Sequence, residues 1–369
     1  VLASGVWRMS KKNVLVKKLQ AIEVLGETKV LAVDKTGTVT RNELMIESVY
    51  IGGETFEIRG SGYDPVGESL LDGMVIDPPN HPALLLAGKI AMLNSGASLI
   101  LHKGMKRWKI AGDPTEGALL VFAKKMGFQR EDLLGELPMI DELPFDYERK
   151  IHASLHRQQG GNLLIVTGSP EKILALSKYE SETGKLKNIL DRRKNELDEI
   201  IAAFSEKGLR VIGFAYKTAQ EEMIDPSSLG NLVFGGFFGI KDTLRAEVKN
   251  AVRQVEESGM RVVMITGDHA ITAKAIAREA GIYKDGNRVL DGSEIDAMPD
   301  EELSKAIGGV SVFSRVTPKH KLRIVRAYRS SGLVVAMTGD GVNDALSLSA
   351  ADVGIGMGKI GTDVAKEAS

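Results

Sequence analysis

Short apolar runs rich in Val and Ile alternate with segments of helical periodicity along much of the chain. The runs are Lys29–Val33, Arg261–Ile265, Val310–Phe313, Leu333–Met337 and Val353–Met357. Their hydrophobicity is continuous, which is typical of parallel strands buried on both faces. Helical patterns lie between the later runs, over Arg245–Ser258, Ala270–Ala280 and Lys319–Ser330. This alternation predicts an α/β fold with a doubly wound parallel sheet.

A long segment with a different pattern of apolar and polar residues separates the first run from the others. Met45–Tyr50 and Ile151–Leu155 alternate apolar and polar residues, which predicts antiparallel strands with one solvated face. We therefore expect an α+β domain over residues 43–241, with an antiparallel sheet, inserted into the parallel-sheet domain. The latter would consist of residues 1–42 and 242–369.

The residues that follow three of the apolar runs carry carboxylates, hydroxyls and glycines. They are Asp34–Thr38 after the first run, Thr266–Asp268 after the second and Thr338–Asp344 after the fourth. In a doubly wound sheet the ligand site lies beyond the carboxyl ends of the strands. Asp and Gly often end a strand without any function, but three such turns on one sheet favour a binding crevice.

Composition narrows the classes of protein that fit. The chain has 369 residues, 48 Lys+Arg against 49 Asp+Glu, and no cysteine. The length suggests about two domains, and the balanced charge gives no reason to expect nucleic-acid binding. The absence of cysteine excludes disulfides, thiolate metal sites and a cysteine nucleophile. The longest strongly apolar stretch, Leu232–Ile240, is far shorter than the roughly 20 residues of a membrane span, so we expect no crossing.

The crevice chemistry favours phosphoryl transfer. Asp34, with an ordinary pKa of about 3.9, could attack phosphorus as an ionised nucleophile. Asp340 and Asp344 would repel it unless a hard cation such as Mg²⁺ lay between them. Lys321, near the start of a helix, could neutralise phosphoryl oxygens, and Thr266 offers a hydroxyl for the same oxygens.

Several ordered motifs resemble those of P-type cation-transporting ATPases, in particular the calcium-pump-like branch. DKTGTVT at Asp34–Thr40 resembles the phosphorylation signature, and TGDH at Thr266–His269 and TGDGVNDA at Thr338–Ala345 resemble two further signatures. SRVTPKHK at Ser314–Lys321 resembles the segment with the phosphate-site lysine. The nucleotide-domain and hinge motifs are matched by GDPTEGALL (Gly112–Leu120), LPFDYERK (Leu143–Lys150), GLR (Gly208–Arg210) and KDTLR (Lys241–Arg245).

The resemblance implies a haloacid-dehalogenase-like phosphorylation domain and a catalytic role for the matching residues. Asp34 would be phosphorylated by ATP, and Mg²⁺ would bind Asp34, Asp340 and the Thr36 carbonyl. Asp344 would support the metal site. The phosphoryl group would lie among Thr266, Gly267, Lys321 and Asn343.

The resemblance also implies a nucleotide site in the inserted domain. Phe145 would stack on adenine, and Glu116, Lys150 and Arg210 would contact base, ribose or phosphates. The full set of expected ATP contacts is Glu116, Phe145, Lys150, Thr167, Gly168, Arg210, Thr36, Thr266, Gly267, Asp268, Arg315 and Lys321. ATP would have to bridge the two domains.

Three positions depart from the family pattern. Thr167 begins Thr-Gly-Ser-Pro-Glu where the family has Lys-Gly-Ala-Pro-Glu, so a cation beside the nucleotide is missing and weaker ATP affinity is predicted. Leu346 replaces the proline after Asn-Asp-Ala, and Val39 replaces a leucine in the signature. Both are expected to have only local effects.

Weaker signals have simpler interpretations. Gly356–Gly361 fits the dinucleotide pattern G-x-G-x-x-G, but tight turns beside the crevice are favoured. His152 and His156 have a spacing compatible with metal binding, yet no third ligand accompanies them, so a solvated surface pair is predicted. His81-Pro82 is reminiscent of a heavy-metal-pump motif, and a loop role is favoured.

Two other functions fit parts of the pattern. A soluble phosphatase or phosphotransferase of the haloacid-dehalogenase superfamily would share the nucleophile and the metal. Such phosphatases generally place an acid two residues after the nucleophile, where this chain has Thr36. A nucleotide-binding domain without chemistry is the third possibility.

The resemblance further implies a longer, membrane-attached protein whose catalytic part faces the cytoplasm. Val1–Lys18 would be the stalk from a membrane helix, and Ser369 would precede the return to the membrane. The transported cation would bind among membrane helices, and a third cytoplasmic domain with a Thr-Gly-Glu motif would lie elsewhere. Calcium is favoured by the branch resemblance alone.

Overall fold

The fold was obtained as a computed structural model that describes residues 2–102, 107–146, 148–182, 185–358 and 361–369. The chain divides into two compact units. The split unit comprises Val1–Asn42 and Leu244–Ser369, and the inserted unit comprises Glu43–Thr243. The boundary predicted after residue 241 lies two residues before the one in the structure. In the described part of the chain, no helix combines the length and apolar character needed to span a bilayer.

The described helices are α1 (Leu2–Lys11), α2 (Gln20–Glu27), α3 (Pro82–Leu93), α4 (Pro114–Lys125), α5 (Arg130–Glu136), α6 (Pro170–Leu176), α7 (Asp191–Glu206), α8 (Val248–Glu257), α9 (Ala270–Ala280), α10 (Gly292–Ala297), α11 (Asp300–Ala306), α12 (Pro318–Ser330), α13 (Ala345–Ala350) and α14 (Asp363–Glu367).

The described strands are β1 (Val30–Asp34), β2 (Thr40–Ile51), β3 (Glu54–Ile58), β4 (Ser69–Leu71), β5 (Met74–Ile76), β6 (Ser98–His102), β7 (Arg107–Ala111), β8 (Met139–Asp146), β9 (Ile151–His156), β10 (Asn162–Gly168), β11 (Ser177–Glu182), β12 (Lys185–Asn188), β13 (Arg210–Ala219), β14 (Leu232–Leu244), β15 (Arg261–Ile265), β16 (Arg288–Asp291), β17 (Val310–Ser314), β18 (Val335–Gly339) and β19 (Val353–Gly356).

The split unit contains a six-stranded parallel sheet in the order β16-β17-β15-β1-β18-β19. Successive residues of β1 pack into two different cores. Val30 and Ala32 lie in the core that contains Ile324 of α12, whereas Val33 lies in the core that contains Ile276 of α9. Helices on both faces explain the continuous hydrophobicity of the strands and confirm the doubly wound fold. Strand β16 was not predicted because its four residues begin with Arg and end with Asp.

The inserted unit is built on an 11-stranded, largely antiparallel sheet. Its main path is β5-β4-β3-β2-β14-β13-β10-β9-β8, and β11 joins β14 in parallel. One hydrophobic core contains residues of α3, α4 and α5, and another contains residues of α6 and α7. The predicted α+β fold with an antiparallel sheet is therefore confirmed.

Strand β9 differs from its prediction. Its sequence alternates apolar and polar residues, but all six residues from Ile151 to His156 are buried. His152 and His156 are 6% and 0% exposed, so the prediction of a solvated surface pair was wrong. The His152 and Ser154 side chains instead contact Asn94, at the end of α3, and His156 contacts Ser154. Alternation indicated two chemically different faces but could not show that both are covered.

Candidate active site

The carboxyl ends of three neighbouring strands converge at the centre of the parallel sheet. Strand β1 lies between β15 and β18, with Asp34 in register with Ile265. The backbone N–H of Asp34 donates to the Thr338 hydroxyl at 3.2 Å. The turns after these strands, which the sequence singled out, are therefore brought to one edge of one sheet.

The turn that follows Asp34, Lys35–Val39, is held by an arginine from the second half of the split unit. Gly37 has φ 73°, a left-handed conformation that glycine adopts without steric cost. Arg245 donates to the Gly37 carbonyl at 2.7 Å and to the Thr38 carbonyl at 3.0 Å. Arg245 is therefore a structural clamp on the turn that carries Asp34.

Lys321 lies between two buried carboxylates. Its Nζ is 2.7 Å from Asp34 Oδ1 and 2.6 Å from Asp344 Oδ1. The lysine lies on α12, which begins at Pro318. The Thr317 hydroxyl accepts from the His320 N–H, and the His320 side chain accepts from the Thr317 N–H, so the two residues form a capping box at the start of the helix. The start of α12 thus places a cation beside Asp34.

Burial and neighbouring charges shift the titration of these groups. Burial raises the pKa of Asp34 to about 6, against the lowering effect of Lys321. Burial also raises the pKa of Asp340, with a further contribution from Asp344. Burial opposes the charge on Lys321, but Asp34 and Asp344 outweigh it and raise the pKa of the ammonium group. Asp34 is thus harder to ionise than its ordinary value implied, although still largely ionised at neutral pH.

Asp34, Asp340 and Asp344 each bring one carboxylate oxygen to within 4.8 Å of the others. Both carboxylate oxygens of Asp344 already accept hydrogen bonds from the protein. Its Oδ1 accepts from Lys321, and its Oδ2 accepts from the backbone N–H groups of Asp340 and Gly341 at 3.2 and 3.1 Å. Asp344 therefore organises the loop, whereas Asp34 and Asp340 have oxygens that fit a hard cation such as Mg²⁺.

The turn after β15 is locked by a second set of contacts. The Thr266 hydroxyl accepts from the backbone N–H of Asp268 at 3.1 Å. Asp268 forms an ion pair with Lys35 at 3.0 Å, and its carbonyl accepts from the N–H of Arg315 at 2.8 Å. Gly267 is exposed between these residues. The contacts bring Thr266 and Asp268 beside the turn that follows Asp34.

The remaining predicted residues of this region differ in exposure. Arg315 is exposed and has φ 49°, an uncommon backbone conformation for a residue with a Cβ. Asn343 is exposed and Thr36 is half-buried. Their roles toward a ligand stay predictions.

In the inserted unit, most of the predicted nucleotide residues lie at one end of the sheet. Strand β8 ends just after Phe145, β9 begins just after Lys150, β10 ends at Gly168 and β13 begins at Arg210. Because β8, β9, β10 and β13 are antiparallel neighbours, these termini share one edge. Phe145 is 46% exposed, so its ring is accessible.

Tight backbone contacts explain the glycine at this edge. The Ser169 N–H donates to the Lys150 carbonyl at 3.0 Å. A Cβ at Gly168 would lie 2.3 Å from the same carbonyl oxygen, which excludes any larger residue. Lys150, in the turn before β9, is exposed and has φ 56°, which is a left-handed backbone conformation.

Glu116 and Thr167 meet one short segment that follows α3. Glu116 Oε2 accepts from the Gly96 N–H at 2.8 Å, and the Ser95 hydroxyl donates to the Glu116 carbonyl at 2.9 Å. Asn94 Nδ2 donates to the Thr167 hydroxyl at 2.7 Å. The segment from Asn94 to Gly96 therefore ties the start of α4 to the end of β10.

Comparison with known proteins places this geometry in a family. The family described as "P-type ATPase, cytoplasmic domain N" matches residues 85–247. A calcium-transporting ATPase of Bacillus subtilis is 38% identical over 371 residues, covering all of this chain and 42% of that protein. The cation-transporting ATPase pma1 of Synechocystis is 40% identical over 386 residues, covering all of this chain and 41% of that protein. A bovine calcium-transporting ATPase type 2C member 1 is 36% identical over 375 residues, covering all of this chain and 37% of that protein.

The chain belongs to the P-type cation ATPase family. It spans about two fifths of the length of the curated relatives that it matches. The predicted family is confirmed, and the chain corresponds to the catalytic portion of a P-type ATPase.

Some residues that build this P-type ATPase site were not predicted from the sequence. Arg245 was noted only as part of the KDTLR motif, and Lys35 only as part of the signature. Each interacts with residues of another turn, Arg245 across about two hundred positions of sequence. Their presence inside these motifs was the only signal in the sequence. Hydrophobic periodicity does not indicate which distant residue a charged side chain contacts.

The departures from the P-type pattern have local explanations in two of three cases. Leu346 is 68% exposed in the first turn of α13, where proline is also accommodated. Val39 is buried beside Val33 and Val252, a setting that suits a smaller apolar side chain. Thr167 is 5% exposed and hydrogen-bonded to Asn94. The predicted weakening of ATP affinity stays a prediction.

Proposed function

We propose that this chain binds MgATP and transfers the γ-phosphoryl group to Asp34, forming an aspartyl phosphate. The observation that carries the proposal is the pairing of a buried Asp34 carboxylate with Lys321 Nζ, at 2.7 Å, on the carboxyl edge of a parallel sheet. Phosphoryl transfer requires a fixed nucleophile and positive charge for the phosphoryl oxygens. Both requirements are met at this position.

The step balances without an additional reactant. An oxygen of Asp34 forms a bond to the γ-phosphorus, and the bond from that phosphorus to the β–γ bridging oxygen breaks. ADP leaves with the electron pair. The ionised carboxylate has no proton to lose, and its pKa of about 6 leaves it mostly ionised at neutral pH. Lys321 would stabilise the negative charge of the phosphoryl oxygens, with support from Thr266, Gly267 and Asn343.

The carboxylate set fits Mg²⁺, whose charge would neutralise phosphoryl oxygens when it is bound. We assign Asp34 and Asp340 as carboxylate ligands and the Thr36 carbonyl as a third. Asp344 holds the loop through its contacts to Lys321, Asp340 and Gly341. Its carboxylate is therefore assigned a positioning role beside the metal.

The inserted unit would bind the nucleotide. An exposed Phe145 ring suits stacking on adenine, and the exposed Arg210 and Lys150 side chains suit phosphate or ribose oxygens. Glu116, Thr167 and Gly168 would complete the nucleotide contacts there. Asp268 and Arg315 would contact the nucleotide from the split unit.

We further propose that the aspartyl phosphate is coupled to cation transport in a longer, membrane-attached protein, with this part on the cytoplasmic face. Relatives named calcium-transporting or cation-transporting support a cation as the cargo. Calcium is the first candidate because two of these three names specify it.

The test is incubation of the chain with γ-labelled ATP and Mg²⁺, followed by acid quenching. We expect an acid-stable, hydroxylamine-sensitive label that is absent in Asp34→Asn. Asp285→Asn is the matched control, because Asp285 is 89% exposed by its side chain and lies outside the site. An unchanged label in Asp34→Asn would contradict the proposal.

Turnover separates this function from that of a phosphatase with the same nucleophile. Thr36 has no carboxylate with which to activate water, so the label should persist over many times the period needed to form it. Rapid multiple-turnover phosphate release by the isolated chain would instead favour a phosphatase. No label at all, with nucleotide bound, would favour a binding domain without chemistry.

A further inference from the structure

A buried cluster of amide, hydroxyl and imidazole side chains adjoins the proposed nucleotide site. We call Asn94, His152, Ser154, His156 and Thr167 the buried polar network; each is at most 6% exposed. Asn94 follows α3, the two histidines and the serine lie on β9, and Thr167 lies on β10. The proposed chemistry uses Thr167 alone, so the other four side chains call for an explanation.

Asn94 is the centre of the network. Its Nδ2 lies 2.7 Å from Thr167 Oγ1 and 3.3 Å from His152 Nδ1. Its Oδ1 lies 2.8 Å from Ser154 Oγ, which is 3.0 Å from His156 Nε2. One amide therefore touches the hydroxyl at the nucleotide edge and, directly or through one serine, both histidines.

Each histidine has a second contact at the outer end of the network. His152 Nε2 lies 2.9 Å from Glu142 Oε1 on β8. His156 Nδ1 lies 3.1 Å from the Leu137 carbonyl oxygen. Glu142 is the charged side chain in contact with the network, and the partners on α3 and β10 are uncharged. Both outer partners are acceptors, so each requires a hydrogen on the imidazole nitrogen that faces it.

The Asn94 amide can adopt two orientations, and in the first the network has one hydrogen too few for all its contacts if both histidines are neutral. With Asn94 Nδ2 donating to Thr167 and His152, the Ser154 hydroxyl must donate to Asn94 Oδ1. A hydroxyl has one hydrogen, so Ser154 can only accept from His156 Nε2. The Leu137 carbonyl already requires a hydrogen on His156 Nδ1. Every contact is made only if His156 is an imidazolium.

In the second orientation the Asn94 amide is rotated by 180°, and the additional hydrogen is then needed on His152 instead of His156. Nδ2 then donates to Ser154, whose hydroxyl donates to a neutral His156. The amide oxygen now accepts from the Thr167 hydroxyl and from His152 Nδ1. Because His152 Nε2 also donates to Glu142, all contacts are made when His152 is an imidazolium paired with the carboxylate.

Both orientations therefore need one proton more than two neutral histidines and an ionised Glu142 supply. Burial lowers the pKa of His156, outweighing the opposite effects of the Leu137 and Leu93 carbonyls and of Glu142. The charge is thus better placed at His152, against the half-exposed Glu142 carboxylate. Without that proton, two lone pairs face each other at hydrogen-bond distance somewhere in the network.

We infer that the buried polar network holds this proton in the His152–Glu142 pair, and that the proton sets the orientation of the Asn94 amide. The orientation in turn decides whether the Thr167 hydroxyl donates inward or is left to donate to a bound nucleotide. Asn94 and His152 are then positioning residues. His152 is the β-sheet partner of Thr167, so its imidazolium lies beside the position where the family pattern has a lysine. The inference rests on the proposed nucleotide site.

The proton can be observed without nucleotide. Long-range ¹H–¹⁵N NMR of the imidazoles between pH 6 and pH 9 should show His152, and not His156, protonated on both nitrogens at the acidic end. Its deprotonation should coincide with a shift of the Asn94 side-chain amide. Two neutral histidines with fixed tautomers throughout this range would overturn the inference.

The consequence for binding is measured by titrating the chain with MgADP across the same pH range. The gain or loss of one hydrogen bond predicts an affinity change of about fivefold in the wild type. His152→Gln and Ser154→Ala should each remove this pH dependence. Ser177→Ala is the matched control, since Ser177 is buried and donates at 2.7 Å to the Ile173 carbonyl, outside the network. It should behave as the wild type does.

The outcomes separate the inference from the proposed function. A wild type that binds MgADP with the same affinity at every pH, or a Ser154→Ala variant that keeps the pH dependence, overturns the inference alone. A wild type that binds no nucleotide at any pH overturns the proposed nucleotide site, while the NMR titration still decides where the proton lies. Thermal unfolding identifies any variant that fails to fold, and the wild-type NMR result then stands as the test.

Discussion

The two units bury polar side chains in opposite ways. The split unit buries charges, with an ammonium group between Asp34 and Asp344 and with Asp340 close by. The inserted unit buries amide, hydroxyl and imidazole groups around Asn94. In the split unit, three carboxylates lie around one ammonium group. In the inserted unit, the hydrogen-bonding groups have partners within the chain, and one additional proton is needed to complete their contacts.

This difference shows which region is built for a ligand of high charge. Buried charges without full compensation are unfavourable for folding alone, so the proposed cation and phosphoryl group would stabilise the charged cluster. The buried polar network already uses its hydrogen bonds internally, which favours a positioning role. Substitutions in the two regions should therefore affect different measurements.

The largest effect is expected when the charge pairing itself is broken. Lys321→Ala leaves Asp34 and Asp344 facing each other without a cation. We expect phosphoenzyme formation to fall by roughly 10²–10³-fold, the range for removing one preorganised electrostatic contact. Loss of one member of a buried pair should also lower the free energy of unfolding by roughly 3–5 kcal/mol. Single-turnover labelling and denaturant unfolding measure the two effects.

Lys319→Ala is the control for this prediction, because Lys319 lies in the first turn of the same helix with an exposed side chain. It should leave labelling within about twofold of the wild type, as expected for surface substitutions. An equal loss in both variants would show that α12, and not the Lys321 charge, is responsible.

A smaller effect is expected from the pH dependence of the buried nucleophile. Burial raises the Asp34 pKa from 3.8 to about 6, so the folded chain holds this proton more tightly than the unfolded chain does. The stability contributed by protonated Asp34 is present below pH 3.8 and is lost as the pH rises to about 6. Asp34→Asn lacks this loss, so its stability relative to the wild type should rise by roughly 1–3 kcal/mol across that window.

Denaturant unfolding of both proteins at pH 4 and pH 7, without Mg²⁺ or nucleotide, measures this difference. Carboxylates outside this cluster titrate equally in the two proteins and cancel, whereas Asp340 and Asp344 interact with Asp34. A relative stability that stays constant, or that changes in the opposite direction, would show that Lys321 fully compensates the buried charge. Asp285→Asn again serves as the matched control.

The two regions also differ in how far the sequence predicted them. The charged cluster lies where parallel strands end, and Asp34, Asp340 and Lys321 stand inside motifs, so both fold and chemistry pointed to them. Asp344 was expected to support the metal site, which stays a prediction, and its two bonds to backbone N–H groups hold the loop. A short motif carries this information because its residues are close in sequence and bind one another locally.

The buried polar network could not be predicted in the same way. The alternation of β9 correctly separated His152 and His156 from their apolar neighbours, but it implied that their face is solvated. Burial of that face depends on Asn94, at the end of a helix about sixty positions earlier in the chain. Periodicity within one strand contains no information about which element covers its second face, so the correct pattern led to the wrong environment.

The smallest expected effects come from a matched pair of threonine substitutions, one in each region. Thr338→Val removes the acceptor of the Asp34 N–H, and Thr167→Val removes the hydroxyl that is hydrogen-bonded to the Asn94 amide. Both remove one hydrogen-bond partner of a buried polar group, so each should lower the free energy of unfolding by about 1–3 kcal/mol. The functional readouts should divide, because Thr338 adjoins the nucleophile and Thr167 adjoins the proposed nucleotide site. Thr338→Val should slow labelling at saturating ATP, and Thr167→Val should change only the ATP concentration needed for half-maximal labelling. If Thr167→Val instead slowed labelling at saturation, the network would act on the chemical step, and the separation between the two regions would not hold.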